Sequence, residues 1–88
     1  MIMDINNLIA IVKKKLQKNI IIENIQIEDK SFLHKKHPGH QKGKFHLKMT
    51  IQSNELNKLS KIESNKKIYK ILNEEIKNDI HSIQISIT

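Results

Sequence analysis

Four of the five histidines in this 88-residue chain lie within one short segment, residues 34–46. They are His34, His37, His40 and His46, and the same segment holds several lysines and both glycines of the chain. Imidazole nitrogen binds zinc, nickel and iron, and it also takes part in hydrogen bonds. The segment therefore has three interpretations at first: a metal site, a nucleic-acid contact or a solvated loop.

The absence of cysteine limits the metal chemistry that this chain can perform by itself. It can form neither a disulfide nor a thiolate-based metal site on its own. Any iron–sulfur chemistry must take sulfur from a partner and use histidine from this chain. A mononuclear zinc or nickel site from His34, His37 and His40 is a further alternative, although closely spaced loop histidines often bind metal only adventitiously.

The formal net charge of +7 suggests an anionic partner, but the composition weakens that interpretation. All sixteen basic residues are lysine, so the planar guanidinium fork that reads guanine is missing. Phe32, Phe45 and Tyr69 are the only aromatic residues, which leaves few platforms on which bases could stack. Sequence-specific nucleic-acid recognition is therefore disfavoured.

Length and motifs favour one small, non-catalytic domain spanning residues 1–88. Asp29, Ser31 and His34 include the residue types of a catalytic triad, but neighbouring positions at a strand end rarely provide triad geometry. No nucleotide-binding loop is present. No apolar run approaches the roughly 20 residues of a spanning helix, and the N-terminus lacks a signal sequence. We therefore expect a cytoplasmic protein without membrane contact.

The first half of the chain predicts a helix followed by two strands. Apolar residues at helical spacing predict a helix over residues 4–17, capped by Asp4. Alternating isoleucines predict a half-buried strand over residues 21–28. A second strand begins at Phe45, and alternation directs His46 away from the core. The intervening loop, from about Lys30 to Lys44, is expected to be the most mobile internal segment.

The second half predicts two helices and a last strand. A short helix contains Leu56, Leu59 and Ile62, and a longer one covers residues 65–77, with Ser64 as its cap and a break at Asn78-Asp79. Alternating isoleucines then predict a third strand, which is parallel to a neighbour because helices precede it. The order αββααβ indicates an α+β two-layer sandwich: a three-stranded mixed sheet with helices on one face.

The fifth histidine, His81, lies at the start of the third strand. It is in phase with Ile83 and Ile85, so period-two alternation places it on the core side. Two interpretations are open. The histidine either caps the strand or satisfies a helix end, or it is a ligand held on a rigid element.

Three stretches of this sequence form a recognisable set: Asp29-x-Ser31-x-x-His34, the start of the second strand at Phe45-His46-Leu47, and the start of the last strand at Ile80-His81-Ser82-Ile83. With these stretches the sequence resembles the BolA family. The resemblance extends over nearly the whole chain and implies a BolA-like fold of the type II KH kind. That fold agrees with the predicted element order.

The resemblance also implies a function in iron–sulfur cluster assembly or trafficking. The implied partner is a monothiol glutaredoxin with a CGFS sequence, which shares a 2Fe-2S cluster with this chain. The glutaredoxin cysteine and a glutathione thiol would supply sulfur, while His34 and His81 match the family's ligand positions. His37 and His40 are alternative loop ligands. Alone, the chain is expected to be a monomer without a cluster.

The sequence also departs from the family pattern and leaves a second function open. Asn65 stands where the family usually has a histidine, which makes a cluster role for that helix doubtful. Gly39 and Gly43 lie between strands and do not form the GxxG clamp of a nucleic-acid-binding KH domain. A DNA-regulatory role is nevertheless attributed to the family, and weak, nonspecific DNA binding would use a lysine-rich helical face that is otherwise simply solvated. Its residues are Lys58, Lys61, Lys66, Lys67 and Lys70.

Overall fold

The computed structural model describes residues 4–30 and 45–88. Within them, three strands form one sheet in the order β1-β2-β3. The elements are α1 (Ile5–Asn19), β1 (Asn24–Asp29), β2 (Phe45–Gln52), α2 (Asn54–Asn57), α3 (Lys61–Ile71), α4 (Asn73–Asn78) and β3 (Ile80–Ile87). β2 is antiparallel to β1 and parallel to β3. The predicted α+β fold with a three-stranded mixed sheet is confirmed.

Helix α1 forms as its apolar spacing predicts. The Asp4 side chain accepts a hydrogen bond from the backbone N–H of Asn6 and so caps the helix. Leu8, Val12 and Leu16 recur every four residues and are fully buried. Among the described helices, none is long and apolar enough to cross a membrane.

Strand β1 begins at Asn24, three residues later than predicted, because Ile21 has other partners. Its backbone N–H donates to Glu55 and its carbonyl accepts from the hydroxyl of Ser53. These bonds hold Ile21 against the start of α2, and the residue is 75% exposed. Pairing with β2 starts only at Glu23, whose N–H donates to the carbonyl of Gln52.

The helical segment contains three helices where two were predicted. Ile68, Leu72 and Ile76 keep the helical spacing, but the backbone at Leu72 (φ −96°, ψ 19°) separates α3 from α4. Hydrogen bonds still link Leu72 to Ile68 and Ile76 to Leu72. A local turn of this kind leaves the apolar period intact, so the period could not reveal it. The order is therefore αββαααβ, and α4 ends at Asn78, one residue later than predicted.

Ser64 does not cap a helix, contrary to the prediction. Ser60 is the N-cap of α3 and forms a reciprocal capping box with Glu63. Ser64 lies one turn inside α3, where its buried hydroxyl donates to the carbonyl of Leu56. Ser60 and Ser64 both precede a good helix pattern, and the capping box decides between them.

The hydrophobic core lies between the helices and one face of the sheet. The central strand supplies Leu47, Met49 and Ile51, all buried. The other buried apolar residues come from every element except α4, or from the residues that join them: Leu8, Val12, Leu16, Ile20, Ile25, Leu56, Ile68, Leu72 and Ile80. The opposite sheet face carries polar side chains from all three strands.

Candidate functional site

A β-bulge at His81 shapes the start of β3. Phe45 pairs with Ile80, but the next β2 residue, His46, pairs with Ser82. His81 is the extra residue of β3 at this step, a feature that is rare in parallel pairs. Ile80 is consequently buried and Ile83 also faces the helices, while His81 is exposed. The prediction that His81 lies on the core side is wrong because the bulge resets the alternation.

His46 lies beside the bulge and is only 7% exposed. It lies outside the hydrophobic cluster, on the sheet face opposite Leu47, as alternation predicted. Its Nδ1 is 2.6 Å from the Oγ of Ser82, and its ring centroid is 4.8 Å from that of His81, with the planes tilted by 55°. These contacts fix the orientation of the His46 ring and place it against one side of the His81 ring.

The contact between these two histidines was not anticipated from the sequence. One signal was available: apolar residues of β3 fall at positions 80, 83, 85 and 87, and the first interval of three breaks the period of two. Such an irregular interval is typical of a bulge. It implies that His81 and Ser82 both lie away from the core, next to His46.

The predicted ligands are only partly described. His34, His37 and His40 lie outside the described residues, as do residues 31–44 of the loop that was expected to be mobile. In residues 4–30 and 45–88, no group of three or more metal-ligating side chains occurs. The described part of the site therefore consists of His81, His46 and Ser82.

His81 also borders a surface groove of about 390 Å³. The groove lies between the start of β3 and helices α3 and α4, and its lining residues are Tyr69, Asn73, Ile76, Ile80, His81, Ser82 and Ile83. Tyr69 is 44% exposed. The histidine is thus presented at the edge of a mainly apolar depression.

The predicted lysine-rich face is one lysine smaller than expected. Lys67 donates to Glu55 at 2.8 Å and is half-buried. The hydrogen bond from Lys67 and a second one from the N–H of Ile21 hold the pKa of Glu55 below its ordinary value. The ammonium group of Lys67 is therefore engaged in an intramolecular ion pair with Glu55. The other four, Lys58, Lys61, Lys66 and Lys70, are exposed.

Asn65 lies apart from His81. It is half-buried and lines a different groove, of about 330 Å³, between α2, α3 and the second half of β3. Of the described histidines, neither lines that groove.

Comparisons with known proteins agree with this fold. A family model described as "BolA-like protein" matches residues 16–88. A DNA-binding transcriptional regulator BolA from Haemophilus influenzae is 31% identical over 75 residues, which cover 85% of this chain and 70% of the relative.

Two solved structures from Arabidopsis thaliana superpose on most of the chain. The BolA domain of SufE1 gives a TM-score of 0.76 at 26% identity and covers 90% of this chain and 87% of its own. BolA1 gives a TM-score of 0.74 at 24% identity with the same coverage, and it bears on the fold alone. From the family match over residues 16–88, together with the Haemophilus relative, we conclude that this chain belongs to the BolA-like protein family.

Proposed function

We propose that this chain is a non-catalytic adaptor that shares a 2Fe-2S cluster with a monothiol CGFS glutaredoxin. The observation that carries the proposal is the position of His81. A bulge in a hydrogen-bonded strand exposes its ring at the rim of a groove, within the motif that resembles the family's ligand position. A ligand on such a rigid element loses little conformational entropy when it binds.

The residues present fit a shared cluster better than one held by this chain alone. The chain has no cysteine, and its described residues bring no three metal ligands together. Sulfur must then come from the glutaredoxin cysteine and glutathione, with His81 and a loop histidine as this chain's contribution. A 2Fe-2S cluster bound in this way would supply a redox centre whose potential rises when histidine replaces thiolate on iron.

The neighbours of His81 support its proposed role by limiting its motion. His46 is buried, is fixed by Ser82 and packs at 4.8 Å against the His81 ring. These contacts would hold the His81 imidazole in one orientation and so favour one of its ring nitrogens as the ligand. Side chains outside the metal ligands have the same effect in other metal sites. His34 is proposed as the second ligand, with His37 and His40 as the alternatives.

The test is anaerobic reconstitution of this chain with a CGFS glutaredoxin, glutathione, iron and sulfide, followed by visible circular dichroism. A signal that requires both proteins is expected. His81→Ala should abolish or strongly reduce it, and His34→Ala should reduce it less. Gln84→Ala, an exposed change on the same strand, is the matched control. An unchanged spectrum in a folded His81→Ala protein would contradict the proposal.

DNA binding is the second candidate, and the name of the Haemophilus relative favours it. The exposed lysines Lys58, Lys61, Lys66 and Lys70 would contact phosphates, without sequence readout. Each lysine that neutralises a phosphate adds about 0.9 to the slope of log affinity against log salt concentration. Replacing Lys66 and Lys70 by alanine should therefore reduce that slope by about 2, whereas Lys67→Ala should leave it unchanged.

The two functions depend on different residues, so the same variants separate them. Cluster sharing requires His81 and tolerates loss of Lys66. Binding to DNA requires Lys66 and tolerates loss of His81. Measuring cluster sharing and DNA binding on the His81→Ala variant and on the Lys66→Ala variant shows which of the two residues each activity requires.

A further inference from the structure

Strand β3 is an edge strand that lacks the charged residues with which proteins usually protect sheet edges. From Ile80 to Ile87 it contains no lysine, aspartate or glutamate. The opposite edge strand, β1, contains Glu28 and Asp29 and is followed by Lys30. In the described part of the chain, no strand pairs with the outer side of β3.

The unpaired backbone groups of β3 can be identified from its pairing with β2. The N–H of Thr88 donates to the carbonyl of Ile51 at 2.8 Å, so Thr88 faces β2. Backbone groups alternate in direction along a strand, so those of Gln84 and Ser86 also face β2. The N–H and C=O groups of the alternate residues, Ile83, Ile85 and Ile87, therefore point to the outer edge.

Two grooves lie beside this edge, one mainly apolar and the other lined by both polar and apolar side chains. The groove of about 390 Å³ lies beside its first half, with Ile83 in its wall. The groove of about 330 Å³ lies beside its second half, where Ile85 and Ile87 meet Leu56 and Leu59. An extended segment that paired with β3 would place every second side chain above these depressions, which is how strand addition gains specificity.

The charges around the grooves indicate the chemistry of the segment that fits. Residues 54–78 of the helical layer carry five exposed lysines and two exposed glutamates, namely Lys58, Lys61, Lys66, Lys70, Lys77, Glu63 and Glu74. Lys61 itself lines the second groove. An acidic segment complements this surface, whereas a second copy of a chain with a net charge of +7 is repelled by it.

We infer that the outer edge of β3 is a docking site for an extended acidic segment of a partner protein. The segment adds a fourth strand to the sheet, its alternate apolar side chains enter the two grooves, and its acidic residues lie near the exposed lysines. The inference concerns a protein partner and does not depend on cluster binding.

The first experiment is a binding assay with a synthetic peptide. The probe is a nine-residue peptide in which valine and threonine alternate, with two glutamates at each end. Two further versions carry N-methyl groups on the odd or on the even central residues. Because an added strand pairs through alternate residues, one N-methylated version should bind like the parent and the other should lose binding. Equal binding of both versions would overturn strand addition.

Amide exchange on the isotopically labelled protein locates the peptide. Addition of the parent peptide should protect the amides of Ile83, Ile85 and Ile87, while Gln84 and Ser86, which already pair with β2, change little. Absence of new protection at the three isoleucines would overturn the assignment of the site. Protection that instead rises with protein concentration, without peptide, would overturn the acidic partner in favour of a second copy.

A matched pair of variants tests the edge itself. Gln84 on β3 and Gln26 on β1 are both exposed, and both point to the open sheet face. Gln84→Glu brings a like charge next to the peptide and should weaken binding by about tenfold, while Gln26→Glu should leave it within about twofold. Lys48 pairs with Gln84 across the ladder, and its positive charge offsets the new carboxylate, so the variant is expected to fold. Equal effects of the two variants, or equally tight binding of a peptide with lysine ends, would overturn the inference.

Discussion

Strand β2 contributes side chains to both the helix-covered face and the open face of the sheet, but different contacts hold the side chains on each face. On the helix side, Leu47, Met49 and Ile51 of β2 are buried among apolar residues from several elements. On the open side, Lys48 and Thr50 are half-exposed, and His46 is buried through its contacts with Ser82 and His81. Many apolar contacts hold the side chains of the helix-covered face, so its packing does not depend on any single contact. A few contacts at one bulge determine the second face, which is also where the candidate chemistry lies.

Substitutions at two neighbouring residues of β2 are expected to show the largest difference in stability between the two faces. Met49→Ala should reduce the free energy of unfolding by about 2–5 kcal/mol, because it leaves a cavity in the fully buried core. Thr50→Ala, one residue further on the open face, should change it by less than about 0.5 kcal/mol. Urea unfolding measures both. Similar values for the two variants would contradict the assignment of the faces.

A charged pair within the helical layer provides the next test. Lys15 of α1 donates to the Oε2 of Glu75 of α4 at 2.7 Å, and the Glu75 side chain is only 8% exposed. The hydrogen bond that Lys15 donates to Glu75 raises the pKa of Lys15, so this stabilisation is complete below the ordinary lysine pKa and is lost as the pH rises through the raised value.

Lys15→Met should lower the free energy of unfolding by about 1–3 kcal/mol, less than for a fully buried pair because Lys15 is partly solvated. Lys14→Met, at an exposed neighbouring position, is the control. Adding Glu75→Leu to Lys15→Met should recover most of the loss, since the stranded carboxylate is then removed. Failure of the double variant to recover would show that the pair itself, rather than the isolated charge, determines the stability.

On the open face, Ser82→Ala tests the contact that orients His46. Loss of the hydroxyl at 2.6 Å should lower the free energy of unfolding by about 1 kcal/mol and shift the ring resonances of His46 and His81 in NMR spectra. Ser86→Ala lies on the same face of the same strand and is exposed, so it is the matched control. Unchanged histidine resonances in Ser82→Ala would argue against this contact.

The smallest effect concerns Glu55, a half-buried residue of α2 that bonds to Lys67 of α3 and to Ile21 before β1. Its pKa lies below the ordinary value, so its contribution to stability is present above that ordinary value and is lost as the pH falls through the lowered pKa. In an NMR titration, Lys67→Met should raise the pKa of Glu55 toward the ordinary value. Lys58→Met, which removes a weaker neighbour, should raise it less. An unaltered pKa in Lys67→Met would contradict the ion pair.

The same contrast explains what the sequence could predict. The helix-covered face follows from apolar periodicity, which predicts α1 and the two faces of β2. The parallel arrangement of β3 follows instead from the helices that precede it. Periodicity records which residues are apolar, but it is insensitive to local backbone changes that preserve the spacing. The break at Leu72 is such a change, and two helices were therefore predicted as one.

The candidate site depends on a feature that strict alternation excludes. Alternation placed His81 inside, whereas the bulge exposes it and brings it against His46. The family resemblance identified His81, and the structure adds the contacts that surround it. The predicted start of β1 was wrong because a local pattern does not show distant contacts. Ile21 bonds to the side chains of Ser53 and Glu55, which are more than thirty residues away in sequence.

The parallel pairing of β2 with β3 has a consequence for the order in which this protein folds. Two antiparallel strands can associate as soon as one short connection closes, but the β2–β3 ladder requires the whole segment of residues 53–79 to return along the sheet. The entropy of closing that segment is lost before the first ladder bond forms, which slows folding. Early formation of α3 with its capping box shortens the effective connection. We therefore expect substitutions at Ser60 to slow refolding, and substitutions in β3 mainly to accelerate unfolding.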